Sequence, residues 1–357
     1  MISELKLNNF RCFESSTINL SPNINFFYGP NGSGKTSILE ALYMCSSGKS
    51  FKSSNIKSLI SFDKDFFSIN AFDSNKGYAL GIVKNRSQAI SIKINNNKTT
   101  TSNLIKEFPA TAIHNNTFSF ANASPDFRRK ILDRSLFVSS PGFADIWFAF
   151  HRSLKQKNSS LKKGLYENLD VWNQKVSNEG SKLDNKRVNF FEESLGEFKQ
   201  ILNKLSSSNI VDKLNIIDIK FFSGWDKDKN LYDLLAENEK KDILSKTTTV
   251  GPHKADIKIL INGDDAKQIL SRGEQKILSI LWCCSQNEVL RKKYNIKATL
   301  IIDDIKSELD DLTFEAFLNL LNFLENQVIF SCIDDHFSSK INPKYKDFKK
   351  FHVEQLR

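Results

Sequence analysis

Apolar and polar residues alternate from the first positions of the chain. Ile2, Leu5 and Leu7 lead to Phe10, which predicts a half-buried strand. A second short strand is predicted over Thr17–Leu20. The compact apolar run Ile24–Tyr28 reads as a buried strand that stops at Gly29. From about Lys35 the period changes, and Ile38, Leu39, Leu42 and Tyr43 fall on one helical face. Alternating segments around Phe67–Phe72, Tyr78–Val83 and Ala89–Ile94 are separated by Asn75 and by Asn95-Asn96-Asn97, as in an antiparallel meander.

From about Asp126 the period becomes helical, with Phe143, Trp147, Phe150 and Leu154 recurring every three or four residues. The chain then stays helical, polar and rich in Lys and Glu to about residue 240. Strand-like segments return at Ile216–Phe222 and Ala255–Ile261. A helix over about Gly273–Leu290, a buried strand Ala298–Ile302, a helix over about Leu312–Leu324 and a strand Val328–Cys332 complete the pattern. The order α/β, helical, α/β predicts a nucleotide-binding lobe of residues 1–122 and 241–357, interrupted by a helical domain at 123–240. No repeat or sustained heptad is seen.

A chain of 357 residues is too long for one core and predicts two lobes. A net charge of +10 points to a polyanionic partner, nucleic acid or an anionic membrane. The same Lys, Asn, Ile and Phe richness arises in AT-biased genomes, so charge alone does not choose. Five cysteines with neither CxxC nor metal spacing read as free thiols of a reducing compartment. No apolar run approaches the ~20 residues of a membrane span, and MISELKLNNF has no signal-peptide core. The expectation is a cytoplasmic protein.

Three segments carry candidate chemistry. Gly29-Pro30-Asn31-Gly32-Ser33-Gly34-Lys35-Thr36 fits GxxxxGK[ST] between a buried strand and an amphipathic helix that continues through Ser37. Its glycines let backbone N–H groups turn toward phosphate oxygens at a helix N-terminus. Lys35 is expected on the β and γ phosphates of ATP, and Thr36 on Mg²⁺. Second, the strand Ala298–Ile302 ends in Asp303-Asp304. The first acid is placed to hold Mg²⁺ and the second to polarise the attacking water. Third, Ser271-Arg272-Gly273-Glu274-Gln275 forms a turn that opens a helix, another anion-binding N-terminus. Ser271 as a simple helix cap is the plainer alternative for that segment.

Together these segments resemble the ABC-type ATPases of the SMC and RecF group. Further segments narrow the resemblance to the RecF family of bacterial recombination mediators. They are Asn9-Phe10-Arg11, Gly48-Lys49-Ser50-Phe51-Lys52, Ser124-Pro125-Asp126-Phe127-Arg128-Arg129-Lys130-Ile131-Leu132-Asp133, Ser153-Leu154-Lys155-Gln156-Lys157-Asn158, Gly251-Pro252-His253-Lys254-Ala255-Asp256 and Ser307-Glu308-Leu309-Asp310. The resemblance implies an α/β, ABC-type P-loop ATPase head, with a mixed sheet, flanking helices, an antiparallel β subdomain and an inserted helical domain. It also implies an ATP-dependent homodimer on single- and double-stranded DNA and gap junctions, RecO and RecR as partners, RecA loaded indirectly, and roles in repair, replication restart and SOS induction. In such a dimer Ser271–Gln275 would close on the other subunit's ATP, with Asp310 in the loop between subunits. Candidate DNA contacts are Lys52, Arg128, Arg129, Arg152, Lys155 and Lys157.

The chain departs from the family pattern at Thr111, where a Gln is common, and at Asn122-Ala123-Ser124, which replace glycines. It departs again at Asp311-Leu312-Thr313, where a basic residue is common. Ser331 stands where many ABC ATPases carry a His. With Asp304 shorter than Glu, these features predict slow hydrolysis; an ATP-binding scaffold that does not hydrolyse efficiently is the alternative. An SMC head would carry hundreds of coiled-coil residues in place of this insertion. A transporter ATPase would lack the R-R-x-x-L-D segment.

Overall fold

The opening alternation becomes a hairpin in the computed structural model, which describes residues 1–114, 120–205, 214–306, 309–341 and 348–357. Strands β1 (Glu4–Phe10) and β2 (Phe13–Asn19) pair antiparallel and lead into β3 (Ile24–Tyr28) and helix α1 (Lys35–Ser47). The meander follows as β4 (Phe66–Asp73), β5 (Tyr78–Asn85), β6 (Ser91–Ile94) and β7 (Asn97–Lys98). Helix α2 (Thr101–Glu107) and β8 (Ala110–Ile113) come next. The chain divides into two compact units, one of residues 1–120, 200–215 and 270–357, the other of 121–199 and 216–269.

The second unit contains α3 (Pro125–Ser139), α4 (Phe143–Lys163), most of α5 (Leu169–Lys204), β9 (Ile217–Phe222), α6 (Leu231–Glu237), α7 (Glu239–Ser245), β10 (Asp256–Ile261), β11 (Asp264–Asp265) and α8 (Ala266–Ile269). The first unit resumes with α9 (Arg272–Tyr294), β12 (Thr299–Ile302), α10 (Asp311–Leu321), β13 (Val328–Cys332) and β14 (Lys349–His352).

Two sheets build the first unit. One is antiparallel in the order β2-β1-β4-β5-β6-β7, with Leu5 opposite Ile18 and Ala71, and Leu7 opposite Ile69. The other is parallel in the order β14-β3-β13-β12-β8. Strands buried on both faces carry nearly continuous apolar runs, which is why Ile24–Tyr28 and Val328–Cys332 do not alternate, with Asn25 and Ser331 as their buried polar positions. Helix α1 joins the two sheets. Ile38, Leu39, Leu42 and Met44 lie in one core with Leu5, Leu7, Phe67 and Ile69 of the antiparallel sheet and Ile301 and Ile329 of the parallel one. Each such side chain contributes about 1.5–3 kcal/mol on burial. The helix is thereby fixed, and so is the loop at its start.

The second unit is held by α3 and by ion pairs. Ser124 caps α3 by accepting from the Phe127 N–H, with Pro125 in the first turn. Arg128 forms two hydrogen bonds with Asp256 (2.7 and 2.8 Å), and Arg129 donates to the Ala255 carbonyl. Arg187 bridges Asp133 and the Pro252 carbonyl. The two sequence segments around Arg128-Arg129 and Gly251–Asp256 are therefore halves of one clasp. Gly224 is needed beside it, because a Cβ there would lie 2.2 Å from the Gly251 carbonyl oxygen.

The sequence pattern returned the chain to the ATPase lobe at residue 241, whereas the compact units place the change at 270. The reason is nonlocal pairing: β10 joins β9 and β11 in a three-stranded sheet, Ile257 opposite Phe221, within the second unit. Among the described residues no helix is long and apolar enough to cross a membrane.

Candidate functional site

The carboxyl ends of the parallel strands meet where open α/β sheets bind ligands. Strand β3 runs into Gly29–Gly34, and α1 starts at Lys35. Gly29, Gly32 and Gly34 have φ of 145°, 81° and 111°, conformations that L side chains rarely adopt. A Cβ on Gly34 would lie 2.7 Å from Cys12 Sγ and 2.9 Å from Phe13 Cζ. No side chain caps α1, so its first N–H groups face the loop. A cavity of about 480 Å³ opens there, lined among others by Arg11, Asn31, Lys35, Thr36, Asp303 and Asp304. Pro30 and Ser33 lie within the loop, and Ser37 also lines the cavity. The buried Ser33 Oγ has no hydrogen-bond partner among the described residues.

Lys35 Nζ donates to the carbonyls of Gly29 (2.7 Å) and Pro30 (3.0 Å). Burial lowers its pKa, and the charge of Asp304 opposes that shift. Thr36 Oγ1 lies 2.9 and 3.1 Å from the two Asp303 carboxylate oxygens, although the residues are 267 positions apart. Strand order explains the meeting. β13 lies between β3 and β12, and its Ser331 Oγ donates to Asp303 Oδ1 at 2.8 Å. Burial pushes the Asp303 carboxyl above the usual carboxylate value, against the hydrogen bonds from Ser331 and Thr36. Asp304 takes the left-handed φ of 48°, its N–H donating to Ser331 Oγ at 2.7 Å. The arrangement can do phosphate chemistry. Backbone N–H groups and an ammonium face one end, and a hydroxyl and two carboxylates the other. Among the described residues no cluster of three or more His, Cys, Asp or Glu side chains is placed to hold a metal by itself.

Arg11 is a site residue that sequence reasoning left without a role. It sits at φ 55° after the first strand and grips the buried Glu40 through Nε and Nη2 (3.0 and 3.1 Å). The Ser50 hydroxyl donates to the same carboxylate. The triplet Asn9-Phe10-Arg11 was the available signal. His114, just beyond β8, stacks on Phe51 (4.7 Å between centroids), and burial lowers its pKa to about 4. Thr111 lies inside β8, its hydroxyl donating to Asn287 Oδ1 at 3.3 Å.

Ser271, Arg272, Gly273, Glu274 and Gln275 are not among the cavity's lining residues. Ser271 caps α9 in a capping box with Glu274 (2.8 and 3.3 Å), and Gln275 Nε2 donates to the Leu270 carbonyl at 2.9 Å. Ser271 and Arg272 are exposed. Ser307 and Glu308 lie outside the described residues; Asp310 caps α10 through the Thr313 N–H, which lowers its pKa.

The candidate DNA contacts separate. Lys52 lines the nucleotide cavity, and its charge bears on Asp303. Arg128 and Arg129 are spent on Asp256 and the Ala255 carbonyl, and Lys157 is fully buried against Asp242 at 2.8 Å. Arg128, Arg129 and Lys157 correct the expectation, because their charges are already committed inside the protein, while Lys52 is exposed at the cavity. Arg152 and Lys155 are exposed on α4.

Residues 1–353 match the RecF/RecN/SMC N terminal domain family. A solved structure of the recombination mediator protein RecF with ATP, of the RecFOR pathway, has a TM-score of 0.78 at 23% identity, covering 99% of this chain and 96% of that one. An Smc head bound to the C-winged helix domain of ScpA gives 0.56 at 17%, with 94% and 90% covered. The fold is that of an ABC/SMC-type ATPase head. The DNA replication and repair protein RecF of Pseudoalteromonas translucida is 31% identical, covering 99% of this chain and 97% of its own, and that of Pseudomonas paraeruginosa is 30% identical, covering 89% and 86%. Within that class the chain belongs to the RecF family.

Proposed function

We propose that this chain is a recombination mediator of the cytoplasm whose grip on DNA is switched by ATP-driven pairing of two copies. The observation that carries the reading is a divided site. The P-loop, Thr36 and the paired acids share one cavity, while the exposed Ser271 turn lies outside it. A nucleotide bound at Gly29–Ser37 then offers its γ-phosphate to the Ser271–Gln275 turn of a second copy, where the N-terminus of α9 and Ser271 Oγ receive negative charge.

Thr36 and Asp303 are the residues to hold Mg²⁺. Hydroxyl and carboxylate oxygens are hard donors, and two of them leave positions for phosphate oxygens and water, as Mg²⁺ binding requires. When bound, the cation supplies neutralisation of the phosphate charge. Lys35 orients the β and γ phosphates, and Asp304 orients the attacking water. Asp304 is a short acid on a left-handed backbone with Ser331 beside it. That combination supports slow turnover, suited to a clamp rather than a motor.

Pairing brings two basic surfaces together, with Arg152 and Lys155 as phosphate contacts. Contacts of that kind read backbone and shape rather than sequence, which fits gapped DNA carrying both single and double strands. RecO and RecR are the proposed protein partners, with RecA acting downstream in repair, replication restart and SOS induction. The test is binding to gapped DNA with and without ATP and Mg²⁺, for the wild type and Lys35→Met. ATP should tighten binding of the wild type only. Equal affinity in all four conditions would reject the switch. Tightened binding without hydrolysis would favour the scaffold alternative.

A further inference from the structure

Three residues beyond Gly273, helix α9 sends a lysine back into its own subunit. Lys276 is fully buried, and its Nζ donates to the backbone carbonyl of Asp304 at 2.9 Å. The same Asp304 holds φ at 48°, a conformation that costs a non-glycine residue free energy unless its surroundings enforce it. Both of its peptide groups are held. The N–H donates to Ser331 Oγ (2.7 Å), and the carbonyl accepts from Lys276. Ser331 Oγ in turn donates to Asp303 at 2.8 Å. The acid assigned to the water is therefore aimed by two side chains, one on the neighbouring strand β13 and one on the helix that opens with Ser271.

We infer that Lys276 is a positioning residue that couples the two nucleotide sites of the paired protein. This rests on the proposed dimer. There, the Ser271 turn of one copy binds the partner's nucleotide, while Lys276, on the next turn of the same helix, aims that copy's own Asp304. A shift of α9 when the partner's γ-phosphate seats on its N-terminus reaches Asp304 through the Lys276–Asp304 hydrogen bond. One site thus sets the geometry of the acid in the other, a coupling that works in both directions. Lys276 does not line the nucleotide cavity, and its effect is on the rate of the chemical step.

The experiment is single-turnover and steady-state hydrolysis, with sedimentation in ATP, on the wild type, Lys276→Met and Lys276→Gln. The methionine removes the donor at similar volume, and the glutamine keeps a donor without charge. Lys276→Met should retain ATP-driven pairing and the wild-type KM but lose about 10- to 100-fold in kcat, the scale of an acid misplaced by about 1 Å. Its dependence on ATP concentration should become less sigmoidal than that of the wild type. Lys276→Gln should recover part of both, and it supplies the readout if the methionine variant does not fold. A Lys276→Met protein with wild-type kcat and the same sigmoidal response overturns the coupling. So does joint loss of pairing, KM and kcat in both variants, which marks a merely structural lysine. A wild type that stays a single subunit in ATP overturns the dimer itself, and the coupling falls with it.

Discussion

Replacing Lys157 separates a structural cation from a DNA contact on one helix. Lys157 and Lys155 lie two positions apart on α4, yet one is fully buried and the other exposed. Asp242, the partner of Lys157, is also fully buried, and its second oxygen accepts from the Thr249 N–H (2.8 Å) and hydroxyl (2.7 Å). Lys157→Ala leaves that carboxylate with the Thr249 donors but without its counter-charge. Breaking a buried pair from one side costs about 3–5 kcal/mol. Against a total stability of about 5–15 kcal/mol that is a large share. Urea unfolding followed by far-UV circular dichroism should show the loss in the transition of the helical unit, while Lys155→Ala unfolds as the wild type does. The double variant Lys157→Met/Asp242→Leu removes the uncompensated charge and should return part of the stability, the remainder being lost with the acceptor of the Thr249 N–H and hydroxyl. A loss below about 1 kcal/mol in Lys157→Ala, or a double variant as unstable as the single, would refute the reasoning.

Three other outcomes follow from the same geometry. Gly34→Ala puts a Cβ against Cys12 and Phe13 at a φ of 111°, so it should cost about 1–3 kcal/mol and abolish binding of a fluorescent ATP analogue. Desolvation of the half-buried His253 lowers its pKa from 6.5 to about 4, so the unfolded chain takes up the proton first. Stability of the helical unit should therefore fall as pH drops from 6.5 toward 4, by up to roughly 3 kcal/mol, and His253→Gln should flatten that part of the pH–stability profile. Arg152→Ala and Lys155→Ala should weaken DNA binding alike for all sequences, each lowering the slope of log affinity against log salt by about 0.9 on duplex, as a titration over salt concentration would measure.

Local features were legible in the sequence. The phosphate loop announces itself because strand, glycine turn and helix are contiguous, and β12 does so because an apolar run ends in two acids. Features set by strand order and packing were not legible. Nothing local says that Thr36 and Ser331 would meet on Asp303, because that depends on β13 inserting between β3 and β12. Charge on a helix does not reveal its partner. Arg128 and Lys157 read as surface cations until Asp256 and Asp242, far along the chain, close on them. The unit boundary moved from 241 to 270 because β9 and β10 find each other across two intervening helices.

The central claim is that two copies share each nucleotide, the glycine loop of one and the Ser271 turn of the other. Sedimentation velocity in a slowly hydrolysed ATP analogue with Mg²⁺ tests it most directly, comparing the wild type with Ser271→Arg, whose own P-loop is intact. The wild type should sediment as a dimer, and Ser271→Arg should still bind the analogue at its intact P-loop yet remain a single subunit. A Ser271→Arg protein that pairs as readily as the wild type would contradict the account.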